Sequence, residues 1–138
     1  MAEKLKLEIV TPSGPVIDEE VDIVTCPGID GEFGVLAHHA PLLSTVRIGT
    51  LAYKSGSKSE LVMVSGGFCE VSNNKITFLV ESAERGKDVD PDRALRAKER
   101  AEKRLAQAKT KAESVNVVRA EAALQRAMAR IKVSKGGN

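Results

Sequence analysis

The chain has 138 residues, a formal net charge of +2 at pH 7, and 42% hydrophobic but only 3% aromatic residues. This length suits one or two small globular domains, and the near-neutral charge and lack of tryptophan argue against a binder of nucleic acid. No apolar run reaches the ~20 residues of a membrane span, and the N-terminal residues lack the apolar core of a signal peptide, so we expect a cytosolic chain.

The first part of the chain has the pattern of short strands. Leu5, Leu7 and Ile9 alternate with charged residues, which is the period of a strand with one buried face. More short apolar segments follow, separated by turn clusters, at residues 16–17, 21–26, 33–36, 44–48, 50–54, 61–64, 68–71 and 76–80. This spacing predicts an antiparallel sandwich or barrel. Residues 81–88 show no period and are predicted to be a linker.

The last part of the chain has the pattern of two helices. Asp90 before Pro91 is a typical helix start, because its carboxylate can accept from free N–H groups and proline has none to lose. A stripe of mostly small residues follows: Ala94, Ala97, Ala101, Leu105, Ala108 and Ala112. After a predicted break at residues 113–116, a second stripe runs through Val117, Ala120, Leu124, Ala127 and Ile131. The short connection favours antiparallel neighbours.

The predicted fold class is therefore α+β: an N-terminal antiparallel β-sandwich over residues 1–86 and a C-terminal hairpin of two antiparallel helices over residues 87–138. Two helices alone bury little apolar surface and rarely hold together in water. We therefore expect the hairpin to lie on the sandwich, on a partner, or on each in turn.

The sequence offers little for catalysis or metal binding. Cys26 and Cys69 lie among strand residues without CxxC spacing, which predicts reduced, buried thiols. His38 and His39 are adjacent, so on an extended chain they point to opposite faces and form a poor chelate. No nucleophile–base pair can be named, and we expect neither an enzyme nor a metal site.

The helical part carries its arginines on particular flanks: Arg93, Arg96, Arg100, Arg104 and Lys111 on the first helix, and Arg119, Arg126 and Arg130 on the second. Composition alone favours a solvated charged face. The functional alternative is a basic surface for phosphate or an acidic partner, because guanidinium groups bind such oxygens bidentately.

Several segments together resemble the ε subunit of bacterial F-type ATP synthase. They are VTPSGP at residues 10–15, GEFGVL at 31–36, HAPLL at 39–43, SGGFCEV at 65–71, RAE at 119–121 and RAMAR at 126–130. Each segment is short, but their order and spacing cover nearly the whole chain. The resemblance implies a sandwich of about ten strands followed by a helical hairpin.

The resemblance also implies a function. Members of this family are non-catalytic subunits of the rotor's central stalk, where the sandwich contacts the γ subunit and the c ring and helps to couple proton-driven rotation to ATP synthesis. The hairpin moves between a compact form on the sandwich and an extended form that reaches the α and β subunits and restrains ATP hydrolysis. The expected location is the cytoplasmic face of the cell membrane, peripherally.

Site residues follow from the same resemblance. Glu32 and the loop around it match the region that faces the c ring, and His39 matches a histidine near that interface. No cofactor is required, but some bacterial members bind ATP as a regulatory ligand through a motif that VDPDRA at residues 89–94 resembles. The implied ATP site comprises Glu84, Val89, Asp90, Arg93, Ala94, Arg126 and Arg130. The alternative is a different class of protein: a stand-alone β-sandwich module whose basic hairpin binds RNA or another polyanion.

Overall fold

The computed structural model describes residues 3–111 and 114–136, without the side chains of residues 109–111 and 114–116. In these residues the elements are β1 (Leu5–Thr11), β2 (Gly14–Val21), β3 (Ile23–Gly28), β4 (Gly31–Leu36), β5 (Leu42–Val46), β6 (Gly49–Ser55), β7 (Lys58–Ser72), β8 (Lys75–Arg85), a 3-10 turn (Gly86–Asp88), α1 (Pro91–Lys111) and α2 (Ser114–Ser134). The predicted α+β class, a β-sandwich followed by a helical hairpin, is confirmed.

The strands form one hydrogen-bonded network in the order β2-β1-β8-β7-β5-β3-β4, with β6 beside β3 and β7. The prediction of a wholly antiparallel sandwich is wrong at one ladder, because β1 and β8 run parallel. Parallel neighbours need a long connection. Here the six intervening strands supply it, a relation between chain ends that local periodicity does not report.

The strand count is eight in the described residues, not the ten that the resemblance implies. One reason is β7, which runs unbroken through the two separate strands predicted at residues 61–64 and 68–71. β6 and β5 pair with its successive halves. Gly67 allows the strand to continue there, because its φ of +153° suits glycine and a Cβ would overlap the carbonyl oxygen of Leu79.

The predicted linker at residues 81–88 is also wrong over most of its length. β8 continues to Arg85, because Ser82 to Arg85 pair with Val62 to Ser65 of β7. A polar strand is stable there since the ladder supplies its backbone hydrogen bonds while its side chains remain partly exposed. The sandwich therefore ends directly at the 3-10 turn.

A single apolar core fills the sandwich. Leu5, Leu7 and Ile9 are fully buried, which confirms the period-two prediction for β1. Cys26 and Cys69 are free thiols within this core, each 0% exposed, as predicted. Tyr53 is the largest side chain in the core. Burial raises the pKa of its phenol to about 12, and the neighbouring Glu19 carboxylate adds to the rise.

The hairpin packs through the small faces that the sequence predicts. Ala101 and Ala108 of α1 and Ala120 and Ala127 of α2 are buried, so the two helices approach closely. Within the predicted break, Ser114 to Asn116 already belong to α2, and Glu113 lies outside the described residues.

A second face of α2, which the sequence analysis missed, rests on the sandwich. Ala129 and Val133 are buried there with Met63 of β7, Val89 and Ala94, and Leu61 and Ile131 border them. We call these seven residues the docking cluster. Of the three situations expected for the hairpin, the structure shows the one in which it lies on the sandwich.

Candidate functional site

The joint between sandwich and hairpin (residues 86–93) is held by hydrogen bonds of Asp90. The Asp90 carboxylate accepts hydrogen bonds from the N–H groups of Asp92 and Arg93, both at 3.1 Å, and the Asp90 carbonyl accepts from Ala94 at 3.0 Å. Asp90 is therefore the N-cap of α1, as predicted. Because it occupies the first free N–H groups, the helix N-terminus has little capacity left for another anion.

A cleft of about 310 Å³ opens at this joint, between the end of β8, the start of α1 and the last turns of α2. It is lined by Glu84, Asp88, Val89, Asp90, Arg93, Ala94, Ala97, Arg100 and Arg130. Six of the seven residues that the resemblance assigns to an ATP site thus line one cleft, although they come from three elements. Its volume lies at the lower end of the range for small-molecule sites.

The seventh residue, Arg126, is not among the lining residues. It precedes Arg130 by four residues, which is one turn along the same flank of α2. Conversely, Arg100 lines the cleft and was predicted only as part of a basic flank. Its spacing of seven residues, or two turns, from Arg93 was the signal that could have placed both arginines on one surface.

One ion pair crosses the cleft. Arg130 Nε donates to Glu84 Oε2 at 2.9 Å, and both side chains are about 30% exposed, at 29% and 31%. A charge-assisted bond of this kind is stronger than a neutral one when water is partly excluded. The pair ties α2 to β8, so it stabilises the docked hairpin and also fixes one guanidinium at the cleft.

The charges of the cleft favour a ligand that carries both acidic groups and hydrogen-bond donors. Three arginines face three carboxylates, while Val89, Ala94 and Ala97 supply an apolar surface between them. Guanidinium groups bind phosphate bidentately, and carboxylates accept from amino and hydroxyl groups. A nucleotide combines these features with a flat apolar base.

The two predicted interface residues lie apart. Glu32 is exposed on β4 beside the turn that follows β3, whereas His39 follows the other end of β4. The Nδ1 atom of His39 is 2.7 Å from the carbonyl oxygen of Ala40. They therefore belong to different parts of the sandwich surface.

An exposed apolar surface lies on strands β5, β7 and β8, and its β5 residue follows the connection that carries His39. Leu79 of β8 pairs with Phe68 of β7 on one side and with Val10 of β1 on the other, and directly opposed residues share a face. Leu43 of β5 lies on this face two residues from Thr45, the partner of Phe68. Leu43, Phe68 and Leu79 are 71%, 57% and 56% exposed. We call Val10, Leu43, Phe68 and Leu79 the apolar strip.

Adjacent exposed apolar side chains on a sheet surface are typical of a contact with another protein. A shallow groove of about 420 Å³ runs along the apolar strip, lined by Val10, Phe68 and Leu79 among others. Sequence reasoning missed this surface, although Phe68 and Leu79 each occupy the outward phase of an alternating strand, which was the available signal.

In the part of the chain that the structure describes, no cluster of three or more histidine, cysteine, aspartate or glutamate side chains could hold a metal ion. None of the described helices is long and apolar enough to cross a bilayer.

Comparison with known proteins identifies the family. Residues 4–86 match the β-sandwich domain of the ATP synthase delta/epsilon chain, and residues 87–135 match the long α-helix domain of the same chain. The fold defines a β-sandwich module with a docked helical arm. The chain belongs to the ATP synthase delta/epsilon chain family.

Relatives and a solved structure agree with this assignment. An ATP synthase epsilon chain of Nitratidesulfovibrio vulgaris is 58% identical over 133 residues, which cover 96% of this chain and 97% of that one. One of Desulfitobacterium hafniense is 50% identical over 135 residues, 98% of this chain and 99% of that one. A chain of the Euglena gracilis mitochondrial ATP synthase shares the fold, with a TM-score of 0.80 at 21% identity, covering 96% of this chain and 81% of that one.

The alternative of a stand-alone module that binds RNA or another polyanion is not supported, because both family domains and these relatives belong to ATP synthase. Arg93, Arg100 and Arg130 line one cleft.

Proposed function

We propose that the chain is a non-catalytic rotor subunit in the central stalk of an F-type ATP synthase. In this role it couples rotation of the c ring, together with the γ subunit, to ATP synthesis, and its hairpin restrains ATP hydrolysis. It works at the cytoplasmic face of the bacterial membrane, held there through the complex. The observation that carries this proposal is the helical arm docked on the sandwich through a small cluster, with a separate apolar strip left exposed.

The apolar strip is the surface we assign to the γ subunit. It is a sheet face with adjacent exposed leucine and phenylalanine side chains, and burial of such groups is favourable by about 25 cal/mol per Å². Glu32 lies on another part of the surface, and we assign it to the c ring. His39 lies in the connection between β4 and β5, which leads to Leu43 of the apolar strip.

The docking cluster explains how the hairpin can leave the sandwich. From α2 it includes only Ala129, Ile131 and Val133, all within the last two turns of that helix. Because so few apolar side chains are buried, release of the hairpin from the sandwich requires little free energy. In the extended form the same side chains are free to contact the α and β subunits. The helix–helix contact through alanines lies on another face of α2 and can persist during the movement.

The cleft at the joint is the proposed site for ATP as a regulatory ligand. Arg93, Arg100 and Arg130 are placed to bind phosphates, and Glu84 and Asp88 to accept from amino or hydroxyl groups. The ligand contacts α1, α2 and β8 together only while the hairpin is docked. Binding therefore stabilises the compact form by mass action.

The partner assignment is tested by titrating the full chain into isolated γ subunit. We expect Phe68→Asp and Leu79→Asp to weaken binding at least tenfold, because a carboxylate would be buried without a partner. Ile29→Asp is the matched control, since Ile29 is 62% exposed but lies outside the apolar strip. Equal binding by all three variants would refute the assignment of this surface.

The nucleotide assignment is tested by thermal unfolding with and without millimolar ATP. We expect ATP to raise the melting temperature of the wild type, and Arg130→Gln and Arg100→Gln to abolish the rise. Arg126→Gln should reduce it less, because Arg126 does not line the cleft. Arg119→Gln, an exposed arginine of the same helix, is the control. A wild-type transition that ATP leaves unchanged would contradict the site.

A further inference from the structure

The turn between β7 and β8 contains an asparagine where glycine is the usual choice. Asn73 and Asn74 connect Ser72 to Lys75 and have φ values of 52° and 60°. Two-residue turns with both central residues in the left-handed region favour glycine at the second position. Asparagine tolerates this backbone conformation, and unlike glycine it also brings a side chain that can form hydrogen bonds.

The Asn74 carboxamide joins two segments that are distant in sequence. Its Nδ2 donates to the Lys4 carbonyl at 2.8 Å, and its Oδ1 accepts from the His38 N–H at 2.9 Å. Because Lys4 offers only an acceptor and His38 only a donor here, the orientation of the amide is fixed. The Asn74 backbone carbonyl also accepts from the backbone N–H of Lys6 at 3.2 Å.

One end of this connection is tied to the rest of the sandwich. Lys4 Nζ lies 2.6 Å from Asp22 Oδ1, and the other carboxylate oxygen of Asp22 accepts from the Gly56 N–H at 2.7 Å. The Lys4 hydrogen bond keeps the pKa of the Asp22 carboxyl below its usual range. Asp22 thus links the residue before β1 to the turn at Gly56, and Asn74 joins that residue to the loop.

The other end is the connection between β4 and β5 (residues 37–41). His38 has a φ of 63°, and its ring contacts Glu3, so this connection is also tied to the N-terminal segment by a side chain. It carries His39 and leads into β5, where Leu43 is the most exposed member of the apolar strip.

We propose that Asn74 is a positioning residue of the γ-binding surface: its carboxamide fastens residues 37–41 to the start of β1, so that His39 and Leu43 are presented in a preformed arrangement. This inference rests on the proposed function, which assigns the apolar strip to γ. A surface that is ordered before binding loses less entropy on association and binds more tightly. Asn74 acts through the loop and does not itself lie in the apolar strip.

The two asparagines of the turn provide a matched pair of variants in the full chain. Asn74→Gly keeps the left-handed turn but removes both carboxamide bonds, whereas Asn73→Gly makes the same change at a side chain that makes no hydrogen bond within the described residues. The melting temperature should not fall in either case by more than a few degrees. Asn74→Asp keeps an acceptor for the His38 N–H and is the conservative rescue.

Amide hydrogen exchange by NMR tests the connection. We expect exchange at His38 to become at least tenfold faster in Asn74→Gly, to remain unchanged in Asn73→Gly, and to return toward wild type in Asn74→Asp. Unchanged protection of His38 in Asn74→Gly would overturn the proposal, whatever the outcome with γ.

Titration with isolated γ subunit tests the consequence. Asn74→Gly should bind about tenfold more weakly than wild type, and Asn73→Gly equally well, because the loss of two hydrogen bonds releases the loop. If Asn74→Gly exchanges fast at His38 but binds γ with wild-type affinity, then the carboxamide holds the loop in the wild type but this order does not contribute to binding. That outcome overturns the proposal. If the wild type itself does not bind γ, the proposed function fails instead. The exchange rate at His38 still tests whether the Asn74 carboxamide holds the loop.

Discussion

At the scale of single residues, Asp90 combines a structural role with a place in the cleft. Its carboxylate caps α1 through the N–H groups of Asp92 and Arg93 and also lines the cleft. The two roles can be separated, because asparagine caps a helix as well as aspartate does but carries no charge.

We predict that Asp90→Ala lowers the free energy of unfolding by about 1 kcal/mol without any ligand, because two N–H groups lose their acceptor. Asp90→Asn should remain close to wild type. Urea denaturation of the three proteins measures the difference. A similar loss in Asp90→Asn would mean that the charge, and not the cap, stabilises the joint.

Tyr53 makes stability sensitive to alkaline pH. Its pKa is about 12 in the folded protein against 10.0 for the free group. The unfolded chain therefore releases the phenol proton first, so this contribution is complete below pH 10 and is lost as the pH rises toward 12. The loss amounts to at most about 3 kcal/mol. Tyr53→Phe should remove this part of the alkaline decline, which denaturation between pH 9 and about 12 can measure; an identical decline would contradict the prediction.

At the scale of elements, α2 differs most from its sequence-based description. Its predicted stripe is the face toward α1, and Ala120 and Ala127 are buried there. Ala129 and Val133 form another face toward the sandwich. The uninterrupted apolar run from Leu61 to Val64 was a signal for this contact, since a strand apolar on both faces is covered on both sides.

The end of α2 passes very close to the 3-10 turn at Gly86. A Cβ on Gly86 would overlap the Val133 carbonyl oxygen, although the φ of Gly86 is not in the left-handed region. We predict that Gly86→Ala weakens docking by roughly 1–3 kcal/mol, because backbone must move to admit the methyl group. Faster tryptic cleavage of the hairpin would report the release.

Gly34→Ala is the control for this experiment, because its added Cβ would meet no atom closer than 3.7 Å. Equal cleavage of Gly86→Ala and wild type would show that the end of α2 can shift without undocking.

At the scale of the whole molecule, the sandwich is self-contained and the hairpin is not. Every residue of the main core lies between Leu5 and Ala83, whereas the docking cluster draws on both parts. We predict that a fragment of residues 1–86 unfolds cooperatively, with a loss of roughly 2–4 kcal/mol because Met63 and Leu61 become exposed. Thermal denaturation followed by circular dichroism measures this.

The complementary fragment, residues 87–138, should show little helix in water, because its small alanine faces bury too little surface. A strongly helical isolated hairpin, or a sandwich fragment that does not fold, would contradict this division of stability.

Local sequence pattern predicted both helices, most of the strands and many of their buried positions. The alternation of apolar residues predicted β1, the cap at Asp90 predicted the start of α1, and the alanine stripes predicted the helix–helix contact. Each of these depends only on residues within one or two helical turns or along one strand. The order of short motifs identified the family, and six residues of the cleft followed from it.

Which distant segments meet became visible only in the folded chain. The structure placed β1 parallel to β8, continued β7 through Gly66 and Gly67, brought Arg100 into the cleft and left Arg126 outside its lining. It also showed that Asn74 ties together segments 70 and 36 residues away. The physical reason is that local pattern reports the period of one element, whereas these contacts depend on the path by which the whole chain closes its core.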